Sequence, residues 1–211
     1  MFNLVYKELK LAINPFFYLL PLLLALLFFI PGWIYLLVFM YFFWISVPQI
    51  YSAYITNRDY SFSMTLPISK KDYVTSKIYA LFTLEALHIL LGVIFGLVHN
   101  MIYGQYNWFF DINIAFFGVV LGLFTVFNVV FLPLYFKTGY FFGKPVIYAI
   151  VVAMIYGFIF EFGAIKYQWF RDIFEGPVLT QVIILVVGVV LTVVLNWFVI
   201  RKSVSNYQAS L

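Results

Sequence analysis

Long apolar runs separated by short polar punctuation dominate the chain. They cover residues 14–30, 33–55, 78–100, 113–136, 145–162 and 178–200. Each is close to the ~20 residues that an α-helix needs to cross a ~30 Å hydrocarbon core. The apolar positions are continuous and do not alternate over about ten residues, so the pattern predicts helices and argues against a β-barrel. Pro31-Gly32 predicts a tight turn between the first two runs. The run 14–30 is the shortest and contains Pro21.

Composition agrees with this pattern. Hydrophobic residues make up 65% and charged residues 9% of the 211-residue chain, against about 25% charged in a soluble domain. So few charges cannot coat a globule of this size, and so much apolar surface excludes disorder. There is no Cys, which removes disulfides, thiolate ligands and Cys nucleophiles. No small-residue cleavage site follows the first apolar run, which predicts an uncleaved first span.

The net charge is +4. In a chain of this class it points to topology, not to nucleic acid. With the N-terminus inside, Lys7, Lys10, Arg58, Lys70, Lys71, Lys77, Lys137, Lys144, Arg201 and Lys202 fall on the inner side and only Lys166 and Arg171 outside. This is a strong positive-inside bias. Trp33, Tyr103, Trp108, Trp169 and Trp197 lie near run ends, where interfacial aromatics belong. The expected fold is an all-α polytopic membrane protein in the cell membrane. It has six transmembrane helices, with the N- and C-termini cytoplasmic.

Two segments read as interfacial. Residues 1–13 form an amphipathic pattern in which Leu4, Val5, Leu9 and Leu11 face lipid while Lys7, Glu8 and Lys10 face water, although a plain extension of the first span fits equally. In the outer segment 163–177, Ile165, Trp169, Phe170, Ile173 and Phe174 recur at helical spacing, predicting a short extracellular helix at the interface.

Residues 56–77 are the most polar stretch and face the cytoplasm in this topology. Ser69 and Asp72 form a capping-box pattern after Pro67, so a helix starts near Lys70 and runs into the third span. An ordinary inner loop and a docking element for a cytoplasmic partner both fit these residues. Here a resemblance adds to the reading. The Lys7-Glu8-Leu9-Lys10 segment before the first span, the six spans, and Leu-Pro-Ile-Ser-Lys-Lys-Asp-Tyr-Val-x-x-Lys at 66–77 together resemble ABC-2 type permeases, the transmembrane subunits of ATP-driven exporters. The motif-like part is residues 66–77; the rest of the likeness is topology. The chain also resembles the permeases of staphylococcal exporters of phenol-soluble modulins, which are amphipathic peptide toxins.

The resemblance implies two permeases, either two copies or a copy and a sister subunit, above two separate ABC ATPase subunits. It makes 56–77 a coupling loop or helix carrying Arg58, Asp59, Pro67, Ser69, Lys70, Lys71 and Asp72. It implies a hydrophobic or amphipathic cargo, with no cofactor in this chain and ATP and Mg bound by the ATPase. The sequence itself lacks a P-loop: Gly139-Tyr-Phe-Phe-Gly143-Lys144-Pro145 has the wrong spacing and Pro where a magnesium-binding hydroxyl belongs.

Glu85 and His88 share one face of the third span, with His99 three turns further on. Ionisable groups at membrane depth normally face protein or water. A proton relay or polar transport lining fits, as does a structural role with Glu85 reaching a basic residue at the inner interface and His99 at the outer one. The Glu-x-x-His spacing of di-iron bundles needs a second copy and further carboxylates that the chain lacks, so no metal is expected. An intramembrane enzyme built on these three residues lacks partners from a second helix. A non-transporting membrane protein, such as an immunity or assembly factor, is the alternative that the sequence leaves open.

Gly92-x3-Gly96 and Gly118-x3-Gly122 present small faces for close helix contact, within one subunit or across a dimer. Pro21, Pro48 and Pro133 are expected to kink their spans, and Asn128 and Asn196 to bond between helices. The Phe and Tyr load fits core packing and lipid contact, or the lining of a greasy path.

Overall fold

The computed structural model describes residues 2–65, 67–104, 107–138 and 141–209, apart from the side chains of Leu11, Ala12, Tyr60 and Met64. Leu66, Tyr106 and Gly139 lie outside them, as does the side chain of Leu11. Among the described residues the chain is all-helical, with no strand.

Helix α1 (Phe2–Lys7) continues into a π-turn, Glu8–Ala12, and α2 (Phe16–Ala25) into a tight 3₁₀ turn, Leu26–Phe29. Next come α3 (Tyr35–Tyr41), a π-turn Phe42–Ser46, α4 (Val47–Thr56) and α5 (Asp59–Met64). The rest are α6 (Lys70–Tyr103), α7 (Ile114–Lys137), α8 (Gly143–Lys166), α9 (Gln168–Phe174) and α10 (Val178–Ala209). By length and composition, five described stretches can cross a membrane: Tyr35–Thr56, α6, α7, α8 and α10. The 14–30 run forms a shorter apolar helix, Phe16–Phe29, whose ten α-helical and four 3₁₀ residues reach only about 23 Å. Conversely, α6 and α10 extend past their apolar runs. At 34 and 32 residues they reach about 50 Å, beyond a ~30 Å core.

Proline and glycine set the turns. Pro48 sits at the start of α4, directly after the π-turn that divides the second span; the missing Pro N–H is absorbed by that wider turn. Pro21 and Pro133 lie inside helices that continue through them. Gly32 turns the chain between α2 and α3 at φ 69°, where a glycine costs least.

The core is aromatic and centred on α7. Phe43 stacks on Phe127 at 4.1 Å between centroids, and Tyr51 meets Phe131 and Tyr135 edge-on at 4.8 and 4.5 Å. Phe39, Phe42 and Phe124 close around His88, and Phe43 packs edge-on against Phe124. These rings pack on one another as core. Both Gly-x3-Gly faces pack within this chain: Gly92 lies under the Phe39 ring, and Gly122 under the Tyr156 side chain. Gly118 meets Gly188 of α10 so closely that a Cβ on Gly188 would lie 2.7 Å from the Gly118 carbonyl oxygen. Through that contact α10 rests on α7; most of its apolar stretch faces outward, while Val199, Ser203 and Tyr207 near its end are buried.

Candidate functional site

The base of α6 carries the chain's most concentrated electrostatics. Ser69 caps α6: its Oγ accepts from the Asp72 backbone N–H at 3.0 Å and donates to Asp72 Oδ2 at 2.7 Å. The local pattern of the sequence dictates this start. Two turns on, Lys77 falls on a face otherwise built of Tyr73, Val74, Ile78 and Leu81, all buried. Its side chain is 0% exposed, so it needs counter-charges inside the fold.

Those charges come from far along the chain. Lys77 Nζ donates to Asp59 Oδ2 at 2.6 Å and to Glu8 Oε2 at 3.3 Å, and lies 3.2 Å from the Tyr54 ring centroid. Lys7 Nζ meets Asp59 Oδ1 at 2.9 Å, Glu8 Oε1 at 3.0 Å and Ser63 Oγ at 3.3 Å. Two cations and two carboxylates thus form a charge-balanced square linking α1, α5 and α6. The π-turn, closed by Ile13 N–H to Glu8 C=O at 3.2 Å, starts at Glu8, whose side chain turns inward and is 1% exposed. Burial works against the Asp59 carboxylate, but the Lys77 ammonium and hydrogen bonds from Lys77 and Lys7 hold it below the usual aspartate range. Burial likewise opposes the charge on Lys7; Glu8 and Asp59 overcome it and hold the ammonium above the ordinary lysine value.

This corrects the amphipathic reading of residues 1–13. Lys7 and Glu8 point into the protein, because the buried Lys77 and Asp59 offer stronger partners than water does. The 56–77 segment is also less of a loop than expected: helix α4 runs to Thr56, α5 follows, and α6 begins at Lys70.

Of the expected coupling residues, Asp59 is in the square and Ser69 and Asp72 form the cap. Arg58, Pro67, Lys70 and Lys71 are exposed around it. Arg58 turns the chain into α5 at φ 48°, the left-handed region, which costs a residue with a Cβ about 1 kcal/mol or more. Sequence reasoning passed over Lys7, Glu8 and Lys77 as site members. The signal that marks Lys77 is its place on an apolar helix face.

Glu85, His88 and His99 are buried separately. Glu85 Oε2 accepts from Asn128 Nδ2 on α7 at 2.9 Å, not from a basic residue, because its side chain turns into the α6–α7 contact two turns beyond Lys77. His88 bonds the Val38 carbonyl at 3.1 Å. His99 is 3% exposed, against the Phe28 carbonyl at 2.6 Å and the Tyr35 ring; the returning α2–α3 turn covers the position expected at the interface. Each of the three thus has its own partner on a different element. Among the described residues no group of three or more His, Asp or Glu can hold a metal ion. Asn128 makes the helix-to-helix bond predicted for it, whereas Asn196 Oδ1 has no partner.

At the other end of the bundle, Arg171 of α9 clasps the 107–109 backbone, donating to the Trp108 carbonyl at 3.0 Å and the Phe109 carbonyl at 3.2 Å, and pairs with Glu175 at 3.2 Å. Burial raises the carboxyls of Asp111 and Glu175. Glu161, also missed in the sequence, accepts from the Phe110 N–H at 3.1 Å. These groups staple the loop ends together.

Residues 3–208 match the family described as ABC-2 family transporter protein. The chain belongs to that ABC-2 family. No curated protein and no solved structure matches it. Membership covers nearly the whole chain and makes it an integral membrane protein of the permease-subunit type of ABC transporters, a family that in general implies an ABC ATPase partner.

Proposed function

We propose that this ABC-2 permease is the membrane half of an ATP-driven exporter in the plasma membrane, and that the elbow formed by α5 and the first turns of α6 receives the push of the ATPase. In this reading the Phe16–Phe29 helix completes six membrane-inserted helices, both termini are cytoplasmic, and two permeases stand over two ATPase subunits that bind ATP and Mg. The cargo is hydrophobic or amphipathic, with toxin peptides of the phenol-soluble modulin kind as the proposed example.

One observation carries the coupling role. Lys77, Asp59, Glu8 and Lys7 lock α1, α5 and α6 into one unit, while Arg58, Pro67, Lys70 and Lys71 stay exposed beside it. A force on the exposed rim passes directly into a helix that spans the bilayer. The side chains inside the unit bear load, and those at the rim recognise the partner.

Co-purification tests this. Arg58→Glu, Lys70→Glu and Lys71→Glu together should release the ABC ATPase co-expressed with the chain, while membrane insertion and thermal stability stay as in the wild type. ATPase recovered at the full level with that triple variant, or with residues 57–69 replaced by Gly/Ser, overturns the assignment.

A further inference from the structure

The end of the bundle away from Lys77 sets three carboxylates against one guanidinium. Asp111, Asp172 and Glu175 line a cavity of about 790 Å³ together with Arg171. Most of the Arg171 donors are committed to backbone. Its Nε donates to the Ala164 carbonyl at 2.6 Å, and its Nη2 to the Trp108 and Phe109 carbonyls. The Nη1 donates to a carboxylate, Glu175 Oε2, at 3.2 Å.

What these bonds hold is a strap. Residues 107–111 run along the cavity without regular helix, and each is tied by a charged side chain of a following element. The carbonyls of Asn107, Trp108 and Phe109 accept from Arg171, the Phe110 N–H donates to Glu161, and the Asp111 N–H donates to Glu175 Oε1 at 3.4 Å. That last bond seats the Glu175 carboxylate against the residue that carries the next one. Asp111 Oδ1 in turn accepts from the Asn107 N–H at 2.5 Å. Asp172 is answered separately, by the Gln168 amide at 3.1 Å. Lys166 and Tyr167, where α8 meets α9, are exposed. The other elements packed here bring uncharged groups: the Trp33 carbonyl, Asn113 and Gln181.

Like charges held this close do not both ionise freely, and they titrate as a pair. Burial raises the Asp111 carboxyl, and burial with the Asp111 charge raises that of Glu175. Both line an open cavity, so solvent protons reach them.

We propose that residues 107–111 are a proton-sensitive strap: one proton shared between Asp111 and Glu175 closes it on α9, and with both carboxylates charged it loosens over the cavity. The closed pair titrates above the ordinary 3.8 and 4.5 that an open, solvated pair would show. Closure is therefore fully favoured below those values and lost as pH rises through the raised ones. In the topology proposed above, the outer medium supplies the proton.

A nitroxide on Trp108→Cys reads the strap directly. The natural chain has no cysteine. Arg171 holds Trp108 by its carbonyl, and the Trp108 side chain is 74% exposed, so the label leaves the clasp in place. It is attached to the full chain in mild detergent at one pH, and spectra are then recorded from about pH 4.5 to 8. The label should be immobilised in acid, and its mobile component should grow as pH rises. Asp111→Asn keeps an acceptor for the Asn107 N–H and supplies an amide donor in place of the proton, so the label should stay immobilised throughout. Arg171→Gln should free it at every pH. A spectrum that is constant over this range in the Trp108→Cys chain overturns the proposal, as does a label more mobile in acid. A pH response that survives Asp111→Asn and Glu175→Gln together overturns it too, as does a label that Arg171→Gln leaves immobilised.

Discussion

Lys77 is the residue on which the elbow turns. Removing it alone leaves Glu8 and Asp59 buried without their main cation, so Lys77→Met should cost about 3–5 kcal/mol, read as a lower thermal midpoint in detergent. Adding Asp59→Asn should restore most of the loss, because Lys7 and Glu8, 3.0 Å apart, then remain as a charge-balanced pair. If Lys77→Met melts like the wild type, the square does not hold the elbow. The pH window follows from the two shifts. Asp59 titrates below its ordinary 3.8, so its contribution is full above that value and lost as pH falls through the depressed one. Lys7 titrates above its ordinary 10.5, so its contribution is full below that value and lost as pH rises through the raised one. The loss of thermal midpoint in detergent on Lys7→Met, relative to the wild type at the same pH, should therefore stay constant between about pH 4 and 10; a difference that vanishes near neutrality would contradict the assignment. Glu85→Gln keeps an acceptor for Asn128 and should leave stability within about 1 kcal/mol, whereas Glu85→Leu strands the amide and should cost about 1–3 kcal/mol. Equal melting of the two variants would refute the pairing.

At the scale of elements, the sequence was most legible where the physics is local. Continuous apolar runs mark helices, and Ser69 with Asp72 marks the start of α6, because a cap needs only its own next turn. Ser69→Ala should cost about 1 kcal/mol, measured by the same melts; no change would mean that α6 starts elsewhere. What the sequence hid is long-range. Glu8 and Lys77 stand 69 residues apart, and Glu85 and Asn128 stand 43 apart, and no pattern in either segment names its partner. Local pattern alone therefore leaves the charged face of residues 1–13 facing water and Glu85 without its amide partner. The Gly118–Gly188 contact was half visible, since small residues announce close approach but not which helix arrives. Gly188→Leu would force α7 and α10 apart and should destabilise by about 1–3 kcal/mol or more. Wild-type melting of that variant would show that α10 is held elsewhere.

On the scale of the whole molecule, the bundle is asymmetric. One end carries a charge-balanced lock ringed by exposed Arg58, Lys70 and Lys71; the other is stapled by Arg171 and Glu161. Sidedness is the claim on which the coupling role depends, and the absence of Cys from the sequence makes single-cysteine labelling free of background. The direct measurement is a membrane-impermeant maleimide applied to intact cells that carry Lys70→Cys or Trp108→Cys. The account predicts that the Trp108→Cys chain labels at once and the Lys70→Cys chain only after permeabilisation. Labelling of Lys70→Cys in intact cells would contradict it, because no cytoplasmic ATPase could then reach the elbow.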